Sequence, residues 1–131
     1  MGSFGDYWED EVLDHLFGKG AYTPPTIYVA ASTVDPTDDG SGIAEPSGSG
    51  YARVETAGSD WDAASGGALD NANDINFPEA SGSWGTITHF ALYDAATDGN
   101  MLAHGSLTAG QAIASGEVLR FPAGDLDVTL D

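Results

Sequence analysis

The sequence contains no cysteine. Disulfide staples and thiolate metal sites are therefore excluded. Basic residues are nearly as scarce. Lys19, Arg53 and Arg120 face 21 Asp and Glu residues, for a formal net charge of -18. Neutralising phosphate takes Lys and Arg in numbers, and so does holding an anionic membrane surface. The sequence thus predicts neither nucleic acid nor membrane as a partner. No apolar run approaches the roughly 20 residues that span a bilayer, and no basic-then-apolar segment opens the chain. The expectation is a soluble protein without a secretion signal of its own. A charge of this size keeps like particles dispersed, and it also suits a salty habitat, where counterions screen self-repulsion.

What is present points to a small β protein. A length of 131 residues suits one domain, and folding at that size buries roughly two thirds of the unfolded surface. The 18 Gly and 6 Pro fit many short strands joined by turns better than long helices.

The opening residues form the exception. Phe4, Trp8, Val12 and Leu16 recur at every fourth position, with Leu13 and Phe17 beside them, which is an amphipathic helical stripe. Ser3 is placed to cap this helix, with Asp6 at the capping-box position. Acids at 6, 9, 10 and 11 favour its positive end, and Gly18 is suited to the left-handed position that ends it. The spacing predicts a helix over residues 4–17, and Pro24-Pro25 separates it from the rest of the chain.

Beyond the prolines the period changes. Residues 26–32 (TIYVAAS) are apolar on both faces, as in a buried strand. Residues 34–50 are turn chemistry throughout, longer than most loops in compact domains, and are expected to be mobile or ordered by a partner. Residues 51–56 alternate, and Ile75 and Phe77 mark a short strand ended by Pro78. Residues 86–93 and 101–107, joined by DAATDGN, read as an antiparallel hairpin. Residues 117–121 form another strand, and Leu126, Val128 and Leu130 alternate with polar neighbours in a last one. These elements predict a mainly β fold, an antiparallel sandwich or jelly-roll-like domain with one short N-terminal helix. The expected organisation is a helical arm over 1–20 and a β-sandwich domain over 21–131 that closes a core without the arm.

Chemical motifs are sparse. His89 and His104 fall in the hairpin, where they are expected to face each other across strands. A carboxylate would complete a two-His metal site, but no spacing supplies one, and the other reading is two sheet residues with satisfied rings. Asp35-x-x-Asp38-Asp39-Gly40 resembles a calcium loop without its spacing or its closing Glu. Asp70-Asn71-Ala72-Asn73-Asp74 offers further oxygens, although Asp, Asn and Gly favour turns for backbone reasons alone. No G-x-S-x-G elbow, P-loop or dinucleotide fingerprint occurs. Trp8, Trp61 and Trp84 suit either sugar stacking, Trp61 best of the three, or a core or protein interface. The expectation is a non-enzymatic chain with no catalytic, cofactor-binding or metal-binding residues. Its partner contacts are expected at Phe4, Trp8, Val12, Leu16 and Phe17, a stripe too apolar to remain in water.

Several segments taken together are more specific. FGDYWEDEVLDHLFGKGAYTPPTIYVAAST, DPTDDGSG, GYARV, WGTITHFALYDAATDGNMLAHGSLT and FPAGDLDVTLD cover nearly the whole chain. The sequence they make up resembles a family of small tailed-phage virion proteins, commonly labelled phage tail fibre or structural proteins. The resemblance implies a virion location and no catalytic residues. A chain of this length lacks a long repetitive shaft. The expected role is therefore a capsid decoration (cement) protein, bound to the major capsid protein or other virion proteins and to its own copies. A tail or head-fibre component and a carbohydrate-binding host-attachment module are the alternatives.

Overall fold

The computed structural model describes residues 2–130. It is mainly β, with a single α-helix. In chain order the elements are β1 (Gly2–Phe4), α1 (Asp6–Leu16), β2 (Tyr28–Ser32), β3 (Val54–Glu55), β4 (Ala68–Leu69), β5 (Ile75–Asn76), β6 (Gly85–Tyr93), β7 (Met101–Ile113), β8 (Arg120–Phe121) and β9 (Val128–Thr129). A curled seven-stranded sheet runs in the order β3-β2-β6-β7-β1-β9-β4, and β5 and β8 form a separate two-stranded ribbon. The second layer of the expected sandwich is thus this ribbon with its loops. One pairing, β1 with β9, is parallel.

The strand β2 is apolar on both faces because both are covered. Val29 and Ala31 join Phe90 and Leu92 in the main core, which the ribbon side closes with Ile75, Phe77, Leu119 and Phe121. Phe77 stands edge-on to Phe121 at 5.5 Å and to Trp84 at 6.3 Å, and Tyr51 adds an edge contact to Trp84 at 5.3 Å. On the opposite face, Ala30 and Ala91 lie with Tyr93 and Met101 beneath Ile43. Ile43 belongs to the 34–50 segment, read from sequence as mobile or ordered by a partner, and here packs on this face. The segment is a cover, with Pro36 buried and a backbone bond from Thr33 N–H to the Ala44 carbonyl at 3.0 Å. The Ser32 hydroxyl accepts from the Ala44 N–H as well.

The first residues also depart from expectation. Ser3 does not cap the helix. It lies in β1, which pairs with β7 on one side and β9 on the other, so residues 2–4 are part of the sheet rather than of an arm. The N-cap is Gly5. A side chain there would meet the Asp38 carbonyl oxygen at 2.9 Å, and Gly5 N–H donates instead to the Leu102 carbonyl at 2.8 Å. The far end of the helix is as the sequence indicates. Gly18 adopts φ +72°, and Lys19 N–H bonds back to Asp14.

Charge compensation is thin. Among the described residues Arg53 pairs with Glu45 at 2.8 Å, and Arg120 reaches Asp74 only at 3.9 Å. Most of the 21 carboxylates therefore repel one another across a solvated surface. Raising NaCl from a few millimolar to about 0.15 M shortens that repulsion to about 8 Å, and the melting temperature is expected to climb by a few degrees. A flat or falling curve over this range would show that repulsion does not limit stability.

Candidate partner-binding surface

Helix α1 turns Tyr7 and Trp8 inward, where both pack against the main core with Phe4. The Phe4 and Trp8 rings lie 4.7 Å apart. The Trp8 indole N–H donates to the Tyr22 hydroxyl at 2.9 Å, and Tyr22 N–H donates to His15 Nδ1 at 3.2 Å. The chain after the helix is thereby folded back along it. Tyr7 stands edge-on to the Tyr22 ring. Of the five residues expected to contact a partner, then, Phe4 and Trp8 also hold the helix to its own sheet, and Val12 is half-buried. The remaining two are outside. Leu16 is 70% exposed and Phe17 74%, with Leu13 at 56% and Leu130 at 62% beside the same face.

This face continues into a groove of about 360 Å³ between α1 and the β9–β4 edge of the sheet. Its walls are Phe4, Trp8, Ile27, Trp61, Leu69 and Leu130, and its floor includes Leu92 and Val128. Charged and polar side chains contribute nothing to the lining beyond the two indoles. The indole N–H groups are already used, since Trp61 donates to the Thr56 hydroxyl at 3.0 Å. Phe4 and Leu130 are shared with a neighbouring recess along α1 that includes Val12, Leu13, Leu16, Glu9 and Asp10. The result is a continuous apolar surface with carboxylates at its margin. Its volume lies near the lower end of the range for ligand pockets. Sugar hydroxyls would find no polar partner in it.

The other candidates are spent on structure. His89 lies opposite Ser106 and His104 opposite Ala91, so the two histidines are diagonal neighbours rather than a facing pair. The hairpin loop and the irregularity between Leu92 and Tyr93 set this register, and local composition does not reveal either. His104 Nε2 bonds to Asp38 at 2.8 Å, and His89 Nδ1 to the Thr88 hydroxyl. Among the described residues no group of three His, Asp or Glu side chains is placed to hold a metal ion. In the 35–40 segment Asp38 reaches His104, while Asp39 turns onto its own loop. Asp39 Oδ1 accepts from Ser41 N–H, from the Thr37 hydroxyl and from the Ser41 hydroxyl. These bonds, the Ser41 backbone bond first, hold its pKa down to about 2.

Two features escaped sequence reasoning. Asn71, in the segment read as loose oxygen ligands, is buried. Its amide donates to the Asn73 and Pro122 carbonyls, and its side-chain oxygen accepts from Leu126 N–H. It ties the β4 side of the sheet to the chain after β8. Arg53 is the second. Its guanidinium makes two bonds to Glu45, at 2.9 and 2.8 Å, and donates to the carbonyls of Ala95 and Asp98. It lies 3.8 Å above the Tyr93 ring centre. Arg53 stood on the polar face of an alternating stretch and Asn71 in a polar run, and neither position signalled burial.

Among the described residues no helix is long and apolar enough to cross a membrane. No curated protein matches the chain. A family model described as Podophage GP4 fiber I protein gp80 matches residues 3–129, a span that takes in the helix and nearly all of the sheet and groove. The chain therefore belongs to this family of phage structural proteins and has its place in the virion.

Proposed function

We propose that this chain is a non-catalytic structural subunit that attaches to another virion protein through the groove and the outer face of α1, and that it serves in a fibre. The observation that carries the attachment role is the continuous apolar surface running from the groove along α1 to Leu16, with the exposed Phe17 next to it in the chain. It stands on a molecule whose remaining surface is strongly charged. Exposed apolar patches of this kind mark interaction sites. The fibre role is supported by the family's description as a fiber I protein. One observation favours the second reading, a capsid decoration protein bound to the major capsid protein. The described residues form one curled sheet with a ribbon, without a repeating shaft among them.

Cryo-electron microscopy of the virion separates the two. Density for this fold on the tail or on a head fibre supports the first reading, and density across the capsid lattice supports the second. The attachment surface is tested by Leu16→Glu combined with Phe17→Glu. Both side chains are exposed, so the stability of the isolated protein is expected to stay within about 0.5 kcal/mol. Incorporation into particles is expected to fall by about tenfold or more. Normal incorporation of the double variant would remove this face from the attachment site.

A further inference from the structure

Resting on the docking role proposed above, we infer that the groove takes a segment of another protein in which one or two large apolar side chains are flanked by Lys or Arg, and not a second copy of this chain. The lining fixes the centre of the ligand. Phe4, Trp8, Ile27, Trp61, Leu69 and Leu130 present only apolar surface. An aromatic or leucine side chain therefore gains by entering, and a polar one loses its water without replacement.

The margin fixes the flanks. Glu9 and Asp10 line the recess that continues from the groove. Helix α1 carries Asp6, Glu9, Asp10, Glu11 and Asp14 without a Lys or Arg. The molecule's cations do not offset them. Arg53 is held by Glu45 and Arg120 lies near Asp74, which leaves Lys19, beyond the end of the helix. A second copy would bring its own charge of -18 against the same acids. Like charges brought together across an interface oppose association, whereas a cationic segment is drawn in and oriented by them.

Two synthetic peptides test this, with the same Leu-Phe-Leu centre and either Lys or Glu at both ends. The fluorescence of Trp8 and Trp61, which line the groove, reports binding to the full chain. The Lys-flanked peptide is expected to bind about tenfold tighter or more at low salt, with the advantage shrinking as NaCl is raised. The double substitution Glu9→Gln with Asp10→Asn should reduce the preference without touching the groove. Ala64→Phe, which places a ring at an exposed position in the lining, should abolish binding of both peptides.

Equal affinity for the two peptides, lost in Ala64→Phe, would keep the groove as a docking site and overturn its preference for a basic partner. Binding that survives Ala64→Phe, or no binding of either peptide, would overturn the docking role itself. A dimer seen by sedimentation and dissolved by Ala64→Phe would show that the occupant is a second copy.

Discussion

A chain shortened to begin at Ala21 is expected to lose its cooperative unfolding transition, the reverse of what the organisation read from sequence implies. In the intact protein β1 fills the place between β7 and β9, with Gly2 opposite Gly105 and Val128, and Ser3 opposite His104 and Thr129. Removing it opens the middle of the sheet and leaves β9 paired only with the two residues of β4. The same deletion takes Phe4, Tyr7 and Trp8 from the side of the main core. Truncating a fully buried aromatic costs about 3–5 kcal/mol. Three half-buried ones together with two strand pairings therefore approach the whole stability of a domain, about 5–15 kcal/mol.

A point substitution makes the same test without shortening the chain. A side chain at Gly2 would run into the His104 carbonyl oxygen and come within 2.9 Å of the Phe90 ring. Gly2→Val is expected to cost about 2 kcal/mol or more in urea unfolding, whereas Ser3→Ala should cost far less. A folded, cooperative 21–131 fragment would return the N-terminal segment to the status of an arm.

Arg53→Ala should be the most damaging single side-chain truncation outside the apolar core. The arginine side chain is 7% exposed and its partner Glu45 21%. Removal of one member of a buried ion pair typically costs about 3–5 kcal/mol, because the other charge is left stranded. Here the carbonyls of Ala95 and Asp98 also lose their donor, and Tyr93 loses the cation over its ring. Lysine should not substitute, since a single ammonium cannot reach Glu45 and both carbonyls in the planar fork that Arg provides.

Acid should expose the mechanism. Burial pushes the Glu45 pKa up, but the bonds from Arg53 and Tyr51 and the Arg53 charge outweigh it, and the net pKa lies below the ordinary value of 4.5. A depressed carboxylate contributes stability that is present above its unfolded pKa and lost as the pH falls through its folded one. The stability gap between wild type and Arg53→Ala should therefore be full near neutrality and narrow below about pH 4.5. A gap that stays constant into acid would mean that the loss comes from packing alone.

The parts of this fold with a local period were legible in the sequence. The four-residue recurrence of Phe4, Trp8, Val12 and Leu16 marked the helix. Alternation at Leu126, Val128 and Leu130 marked the last strand, and the apolar run at 86–93 with its return marked the hairpin. What stayed hidden depends on distant partners. The three residues of β1 carry no pattern of their own and become a strand only because β7 and β9 leave a place for them. Ser3 followed by Asp6 imitated a cap for the same reason. The 34–50 segment looked loose because its composition is that of a turn, yet Pro36 and Ile43 are the anchors of a cover over a doubly apolar strand. The apolar stripe of α1 was legible as a helix face. The groove beside it was not, because its walls come from separate stretches of chain that meet only after folding.

The parallel pairing of β1 with β9 also sets an order of events. The strand formed by the first residues cannot acquire its second neighbour until the last strand has been made and placed. Nearly the whole chain must be threaded between them, and such remote contacts form late because the chain entropy is lost before they can repay it. The hairpin of β6 and β7 can form first, and β1, which precedes it in the chain, can pair with β7 before β9 is placed. Closure of the sheet between β1 and β9 therefore joins elements far apart in the chain. Since α1 comes directly after β1, its exposed Leu13 and Leu16 are brought beside the groove as β1 docks. Until the residues around β9 are in place, the groove lacks Val128 and Leu130 from its lining.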